Sequence, residues 1–483
     1  MLPFISQGPG GSLLSYSIAG AHPVSRVDAR SIVYVALLSV AAAYFLAWPI
    51  WRAQFLMEIW FTESWNAFWQ DAAAGWAPLY PSPESLIGNN YPPLSFYVVG
   101  LLGKVLHVDS LYVGRWLSLV GLGALAIEVF AAVRILTGGR LGAMVASLWY
   151  LAIMARNSTI YIGANDPQIA GLAIMGAGLI WFLRRNERGA SPIPAVLLMV
   201  VGGFWKHNNI AVPLVSLAWL YAVRSKFALH AFRASAEAVL VGLAVCVLIF
   251  GSNFIPNLLA PRQYAWSNIM GNLGHLQWCA LALLIWAAWA MFDRKSRPAQ
   301  FTALHIGVAL AACIVQWLGH GIFGNAEFDL IFALAIGLGA TFNRVGEGWL
   351  AMRIGANRCR DAMVAALLLR LVLSDRQETA LLLLSSEFRQ SLYDSERDLL
   401  SEASSVAAMP GDVACFVKMV CRQAGKPFVL DEFKTDELVA MGKATPAEVK
   451  AMLDDRDIRW ISWRPNWADT SISRWLSSRN LQP

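Results

Sequence analysis

Long apolar runs separated by short polar joints fill the first 374 residues. The runs fall near 32–51, 111–134, 141–156, 167–183, 191–204, 209–223, 236–255, 275–292, 300–318, 328–342 and 361–374. Each approaches the roughly 20 residues that one helix needs to cross a hydrocarbon core, so the pattern predicts roughly eleven membrane spans. A further apolar run, 94–105, is led by Pro92-Pro93 and is too short for a full span. It predicts a helix lying in the membrane interface.

The pattern changes after Leu373. About 31 of the 70 charged residues lie in that last stretch, less than a quarter of the chain. The tail reads as a small α/β unit: a strand at 413–416, a helix at 418–424 closed by Gly425, and a strand at 428–430. A helix then starts at Thr445-Pro446, and 458–463 forms a closing strand. The expected fold is an all-α polytopic membrane protein with a small C-terminal α/β domain. Its parts are an arm at 1–31, a membrane body at 32–374 with a long loop at 52–110, and a tail domain at 375–483.

Composition agrees. Of 483 residues 57% are hydrophobic and 14% charged, and mean hydropathy is +0.50. A soluble domain carries about a quarter charged residues. Disorder and nucleic-acid binding are excluded as the main theme, since both need far more polar or basic surface. The net charge of +6 fits basic loops gathered on one side of a membrane. With run 32–51 read as a retained first span led by Arg26 and Arg30, alternate loops hold Arg134 and Arg140, Arg184 to Arg188, Arg224 to Arg233, Arg294 to Arg297, and Arg344 to Arg360. The intervening loops are nearly free of basic residues. The N-terminus is therefore expected in the cytosol, and the loop 52–110 and the tail outside.

On that outer side several residues could carry chemistry. Glu63, in Thr62-Glu63-Ser64-Trp65-Asn66, is a carboxylate among aromatic residues and the best general-base candidate, against the alternative of a solvated loop acid. Asp166, before Pro167, is either a helix cap or a second catalytic carboxylate. Lys206, beside His207, is either a lipid-interface anchor or a phosphate contact. Asp329, reached from His320 through Asn325, stands at the mouth of an apolar helix, where acids are functional candidates. Glu128 is expected to pair with Arg134. A divalent metal could be held by Glu63, Asp166 and His320, although no compact ligand motif is present. The spacing of Cys415 and Cys421 permits a bridge without requiring one.

Glu63-Ser64-Trp65-Asn66, then Gly75 to Tyr80, Asn89-Asn90-Tyr91-Pro92-Pro93-Leu94 and Gly114-Arg115-Trp116-Leu117-Ser118 together resemble the GT-C membrane glycosyltransferases. Within them the chain is most similar to the aminoarabinose transferases, protein O-mannosyltransferases and lipid A galacturonosyltransferases. Asn165-Asp166-Pro167, Trp205-Lys206-His207 and Asn325 to Ala335 extend the likeness. The resemblance implies transfer of a sugar, with inversion, from a polyprenyl-phosphate donor to an envelope glycan, lipid or protein acceptor, at the outer face of a bacterial inner membrane. By it Glu63 becomes the leading base and Asp166 the second carboxylate. Lys206 and His207 would hold the donor phosphate, and Asn66, Asn90, Tyr91 and Asp329 would contact substrate. The chain departs from the family's frequent pair of first-loop acids, since Thr62 precedes Glu63. Two other classes compete: a transporter or flippase of lipid-linked sugars, and an O-antigen-type ligase or polymerase.

Overall fold

The computed structural model describes residues 28–260, 262–375 and 377–463; the expected arm lies outside them up to residue 27, Arg26 included. Every apolar run is helical. The body begins with α1 (Ala29–Arg52), α2 (Thr62–Ala74), α3 (Leu94–Leu106), α4 (Ser110–Thr137), α5 (Arg140–Asn157) and α6 (Pro167–Glu187). It continues with α7 (Ile193–Trp205), α8 (Ala211–Ala222), α9 (Ala228–Phe250), α10 (Phe254–Leu258), α11 (Trp266–Asn272) and α12 (Gln277–Ala290). It closes with α13 (Arg297–Gln316), α14 (Phe328–Arg344), α15 (Trp349–Ile354) and α16 (Ala356–Leu373). Among the described residues seven helical segments are long and apolar enough to cross a membrane: α1, α4, α6, α9, α11–α12, α13, and α14 with its flanking turns.

Where each helix sits follows from its apolar faces. From Phe328 to Phe342, α14 is buried at every position, as an all-round apolar helix must be when other helices enclose it. By contrast α9 buries only Ala231 and Cys246 and leaves Leu240, Leu248 and Ile249 exposed, a surface suited to lipid. Local signals set the ends. Asp109 caps α4, accepting from the Leu111 amide at 2.8 Å, and Gly138 at φ 73° ends it. Asp166 caps α6 ahead of Pro167, and Arg184 and Arg185 in the last turn oppose the helix dipole. The expected Glu128–Arg134 pair does not form: Glu128 is buried, its Oε2 has no hydrogen-bond partner, and it packs where Gly176 leaves room.

The tail comprises α17 (Glu378–Leu384), α18 (Ser386–Ala407), β1 (Val413–Cys415), α19 (Lys418–Gln423), α20 (Glu432–Ala440), α21 (Pro446–Asp455) and β2 (Arg459–Ile461). The strands pair in parallel, Val413 opposite Arg459 and Cys415 opposite Ile461. Thr445 and Glu448 form the capping box of α21. Cys415 and Cys421 are bridged. The expected strand at 428–430 is absent: Phe428 packs on the membrane body, while Val429 and Leu430 join the tail's own apolar cluster. Phe428 stacks on Phe68 at 5.1 Å, and the next amide, Asp431, donates to Leu86 O at 2.9 Å.

Charged clamps hold the tail against the first loop. Arg422 reaches Asp71 at 2.7 Å and Asp109 at 2.9 Å. The Lys434 ammonium donates to the carbonyls of Pro83, Ser85 and Ile87 at 3.0, 2.6 and 2.8 Å. A charged hydrogen bond is worth about 1.5–3 kcal/mol. Substituting Arg422→Ala is therefore expected to loosen docking without unfolding the membrane body. Limited proteolysis should cut earlier between residues 407 and 432, while the thermal midpoint of the membrane helices stays within a few degrees.

Candidate active site

One helix, α2, shows two different faces at the end of the bundle that carries the first loop. Thr62 and Trp65, three residues apart, line a cavity open to solvent. Glu63, Asn66 and Gln70 form another face and are buried against the body.

Glu63 was expected to act as a base, but the structure places it elsewhere. Arg115 of α4 meets it bidentately, Nε to Oε1 at 2.8 Å and Nη2 to Oε2 at 2.7 Å, with both side chains fully buried. The Asn165 amide donates to Oε1 at 2.6 Å and the Ile59 amide to Oε2. A carboxylate offers about four lone-pair sites, so these N–H donors saturate it. It is absent from the cavity lining. Arg115 also donates to the carbonyls of Ala53, Phe55 and Met57. Asn66 is structural too: its Nδ2 donates to Thr62 O and Asn165 O, both at 2.9 Å. Gln70 and Asn165 exchange side-chain hydrogen bonds at 2.8 Å in each direction. Gly114 is required here, because a Cβ on it would meet Asn165 Oδ1 at 1.8 Å.

Asp166 follows directly. Its Oδ1 accepts from the Gln168 amide at 2.8 Å, and it is 8% exposed. Capping and charge coexist at this position: burial raises its carboxyl above the ordinary range, and Lys206 opposes that rise. Lys206, at the end of α7, is 2% exposed. Its Nζ lies 2.9 Å from the centroid of the Tyr91 ring, a cation–π contact worth about 2 kcal/mol when desolvated. Burial lowers Lys206 to about 7, with Asp166 opposing and Arg262 reinforcing the fall. Tyr91 is fixed by its amide donating to Asn89 Oδ1 at 3.1 Å and by Tyr80 Oη donating to its carbonyl at 3.0 Å.

Of the expected substrate residues, Asn90 and Tyr91 line the cavity. His207 is exposed, with its ring 6.4 Å from Tyr91. Asp329 is buried outside the cavity lining, accepting from the Ala211 amide at 3.3 Å. His320 is hydrogen-bonded to Glu437 of the tail and stacks on Phe433. The proposed metal ligands Glu63, Asp166 and His320 do not converge, and among the described residues no group of three or more His, Cys, Asp or Glu side chains could hold a metal ion. The donors do not fit a metal site, since Glu63 is saturated by N–H groups and His320 is engaged by Glu437.

Sequence reasoning missed the tail's share. Lys418, Asp431, Phe433, Lys434 and Glu437 line the cavity, as does Arg262, whose guanidinium lies 5.4 Å from the Phe433 ring. The cluster Asp431-Glu432-Phe433-Lys434 is dense in charge, but only its docking reveals where that charge points.

No family model matches the sequence, and no curated protein matches it. Among solved structures the chain is similar to ArnT from Cupriavidus metallidurans bound to undecaprenyl phosphate: 14% identity over 88% of this chain and 90% of that one, TM-score 0.50. The chain shares the fold of that protein. The apo form of the same ArnT (12% identity, the same coverage, TM-score 0.49) and an Archaeoglobus fulgidus oligosaccharyltransferase (10% identity, 88% of this chain and 69% of that one, TM-score 0.48) are also similar.

Removing one partner of a buried ion pair costs about 3–5 kcal/mol. Glu63→Gln is therefore expected to lower the thermal midpoint of the detergent-purified protein well before any question of chemistry arises. Glu63→Leu combined with Arg115→Met should not recover that loss, because the amides of Ile59 and Asn165 and the carbonyls of Ala53, Phe55 and Met57 would be left without partners. A Glu63→Gln protein that melts with the wild type would contradict the assignment.

Proposed function

We propose that the protein is a membrane glycosyltransferase. It takes a sugar from a polyprenyl-phosphate carrier and passes it, with inversion, to an envelope glycan, lipid or protein acceptor at the extracytoplasmic face of a bacterial inner membrane. The observation that carries this reading is the buried Lys206 beneath Tyr91, with Arg262 acting on it and lining the adjoining cavity. Two cations at the loop end of a membrane bundle suit a lipid phosphate that leaves with a full negative charge. The shared fold and the undecaprenyl phosphate bound to ArnT support the choice of donor. The basic loops at the opposite end of the bundle support the orientation.

In the reaction the acceptor hydroxyl loses its proton to a carboxylate and its oxygen attacks the anomeric carbon. The bond from that carbon to the phosphate oxygen breaks, and the electron pair leaves with polyprenyl phosphate. Arg262, which lines the cavity, meets the developing charge, and Lys206, buried behind Tyr91 and outside the lining, adds its field from there. Tyr91 covers Lys206 and keeps water from it, which strengthens the interaction.

Three outcomes test the reading. Mass spectrometry of envelope lipids and glycans from the native host should show one sugar modification that disappears on gene deletion and does not return with Lys206→Ala. An unchanged envelope in the deletion strain would refute it.

A lysine held near 7 is charged only below that pH. Undecaprenyl phosphate binding to the purified protein should therefore weaken as pH rises through about 7. The Lys206→Ala protein should bind more weakly and show only the rise due to the phosphate's second ionisation near pH ~6. Equal pH profiles for the two proteins would remove Lys206 from the phosphate site.

A single cysteine replacing exposed Trp76 should react with an impermeant thiol reagent in intact spheroplasts, and one replacing Arg188 should not. The reverse pattern would overturn the orientation.

A further inference from the structure

Glu63 is saturated and faces away from the cavity, and Asp166 lines a separate small cleft beside Trp205 and Pro167. The carboxylates that line the cavity among the described residues, Asp431 and Glu437, both come from the tail. Both oxygens of Glu437 are engaged: Oε2 accepts from the Gln263 amide at 2.7 Å, and Oε1 pairs with His320. Asp431 differs. Its Oδ1 caps α20, accepting from the amides of Phe433 at 3.1 Å and Lys434 at 3.4 Å. Its Oδ2 accepts a single bond, from Trp65 Nε1 at 2.9 Å, which leaves a lone pair free on that oxygen.

We propose that Asp431 of the C-terminal domain is the catalytic base, receiving on Oδ2 the proton of the acceptor hydroxyl. The proposal rests on the glycosyl-transfer reading above. The O–H bond of the acceptor breaks toward Asp431, and its oxygen bonds to the anomeric carbon. The carbon–oxygen bond to the lipid phosphate breaks, with its electrons going to polyprenyl phosphate. Asp431 then releases the proton to water.

The surroundings fit that task. Trp65 holds one side of the carboxylate, and the docked α20 fixes the backbone through the Asp431 amide on Leu86 O. Burial raises the Asp431 carboxyl above its ordinary value, and the ammonium of Lys418 opposes the rise. Lys418 is itself tied to Glu432 at 2.8 Å, so its charge stays beside the base. Position 62, on the cavity face of α2, carries threonine, so the first loop offers no carboxylate there.

The test uses the full-length protein in its native host and after purification. Wild type, Asp431→Asn, Asp431→Ser and a gene deletion are compared by envelope mass spectrometry, and the purified proteins by thermal midpoint and undecaprenyl phosphate binding. Asn and Ser both cap helices well, and neither can accept the proton. The expected result is a loss of product of about 100-fold or more in both variants, with lipid binding within about twofold of wild type. Product formation near the wild-type level in either variant overturns the proposal. Loss of lipid binding or of folding in both overturns it too, since Asp431 would then be structural. A deletion strain with an unchanged envelope would refute the glycosyl-transfer reading itself, and the proposal with it. A normal wild-type product beside a fully active Asp431→Asn removes only the assignment of the base.

Discussion

A fully buried ion pair organises this end of the molecule. Taking a carboxylate and a guanidinium out of water costs several kcal/mol for each ion, and the cost is offset only when their hydrogen-bonding capacity is filled. Glu63 and Arg115 meet that condition through each other, two backbone amides and three loop carbonyls. The first-loop helix, the start of α4 and the turn before α6 are thereby locked into one arrangement. Asn165 sits in the middle of it. Whatever fixes Asn165 also fixes Asp166, the next residue, and with it the carboxylate that balances Lys206.

The tail domain belongs to the same construction. The tail's hydrophobic cluster, built on its two-stranded sheet and α18, is completed by Leu86 and Leu111 of the membrane body. Its charged residues repeat the logic at the surface. Arg422 bridges two elements of the body, and Lys434 gathers three carbonyls of one loop. A domain attached in this way does not hang from the bundle on a linker. It builds part of the cavity wall with its own side chains.

The bundle was legible in the sequence because a bilayer imposes one dominant requirement, a run of apolar residues, and each such run became a helix. The caps at Asp166 and Thr445 were legible for a similar reason, since each depends on two or three adjacent residues. Segment 428–430 was misread as a strand because an apolar triplet does not say whether a sheet or another domain will cover it; Phe68 covers Phe428. Lys206 and Tyr91 were found from sequence, but their contact was not, since more than a hundred residues separate them. Glu63 was identified as important while its role was misjudged. Local sequence gives a carboxylate's neighbours but not the rotation of its helix, and that rotation decides whether it meets Arg115 or the cavity. The charge around Asp431 is visible in the sequence, but nothing local ties it or Arg262 to the cavity.

The rotation of α2 also explains how the two halves of the site stay in register. One face of the helix is tied to the body through Glu63, Asn66 and Gln70, and another meets the tail through Trp65 and its bond to Asp431. Turning the helix by one residue, about 100°, would unpair a buried charge on the first face, a penalty far larger than the bond to Trp65. The cavity face therefore has no freedom of its own. In the proposed reaction the cations that answer the phosphate belong to the body, Lys206 at the end of α7 and Arg262 in the loop between α10 and α11. The proton acceptor belongs to the tail, so the distance between them is set by neither alone. It is set by α2, whose orientation the Glu63–Arg115 pair determines, and this is how a residue outside the cavity can govern the chemistry within it.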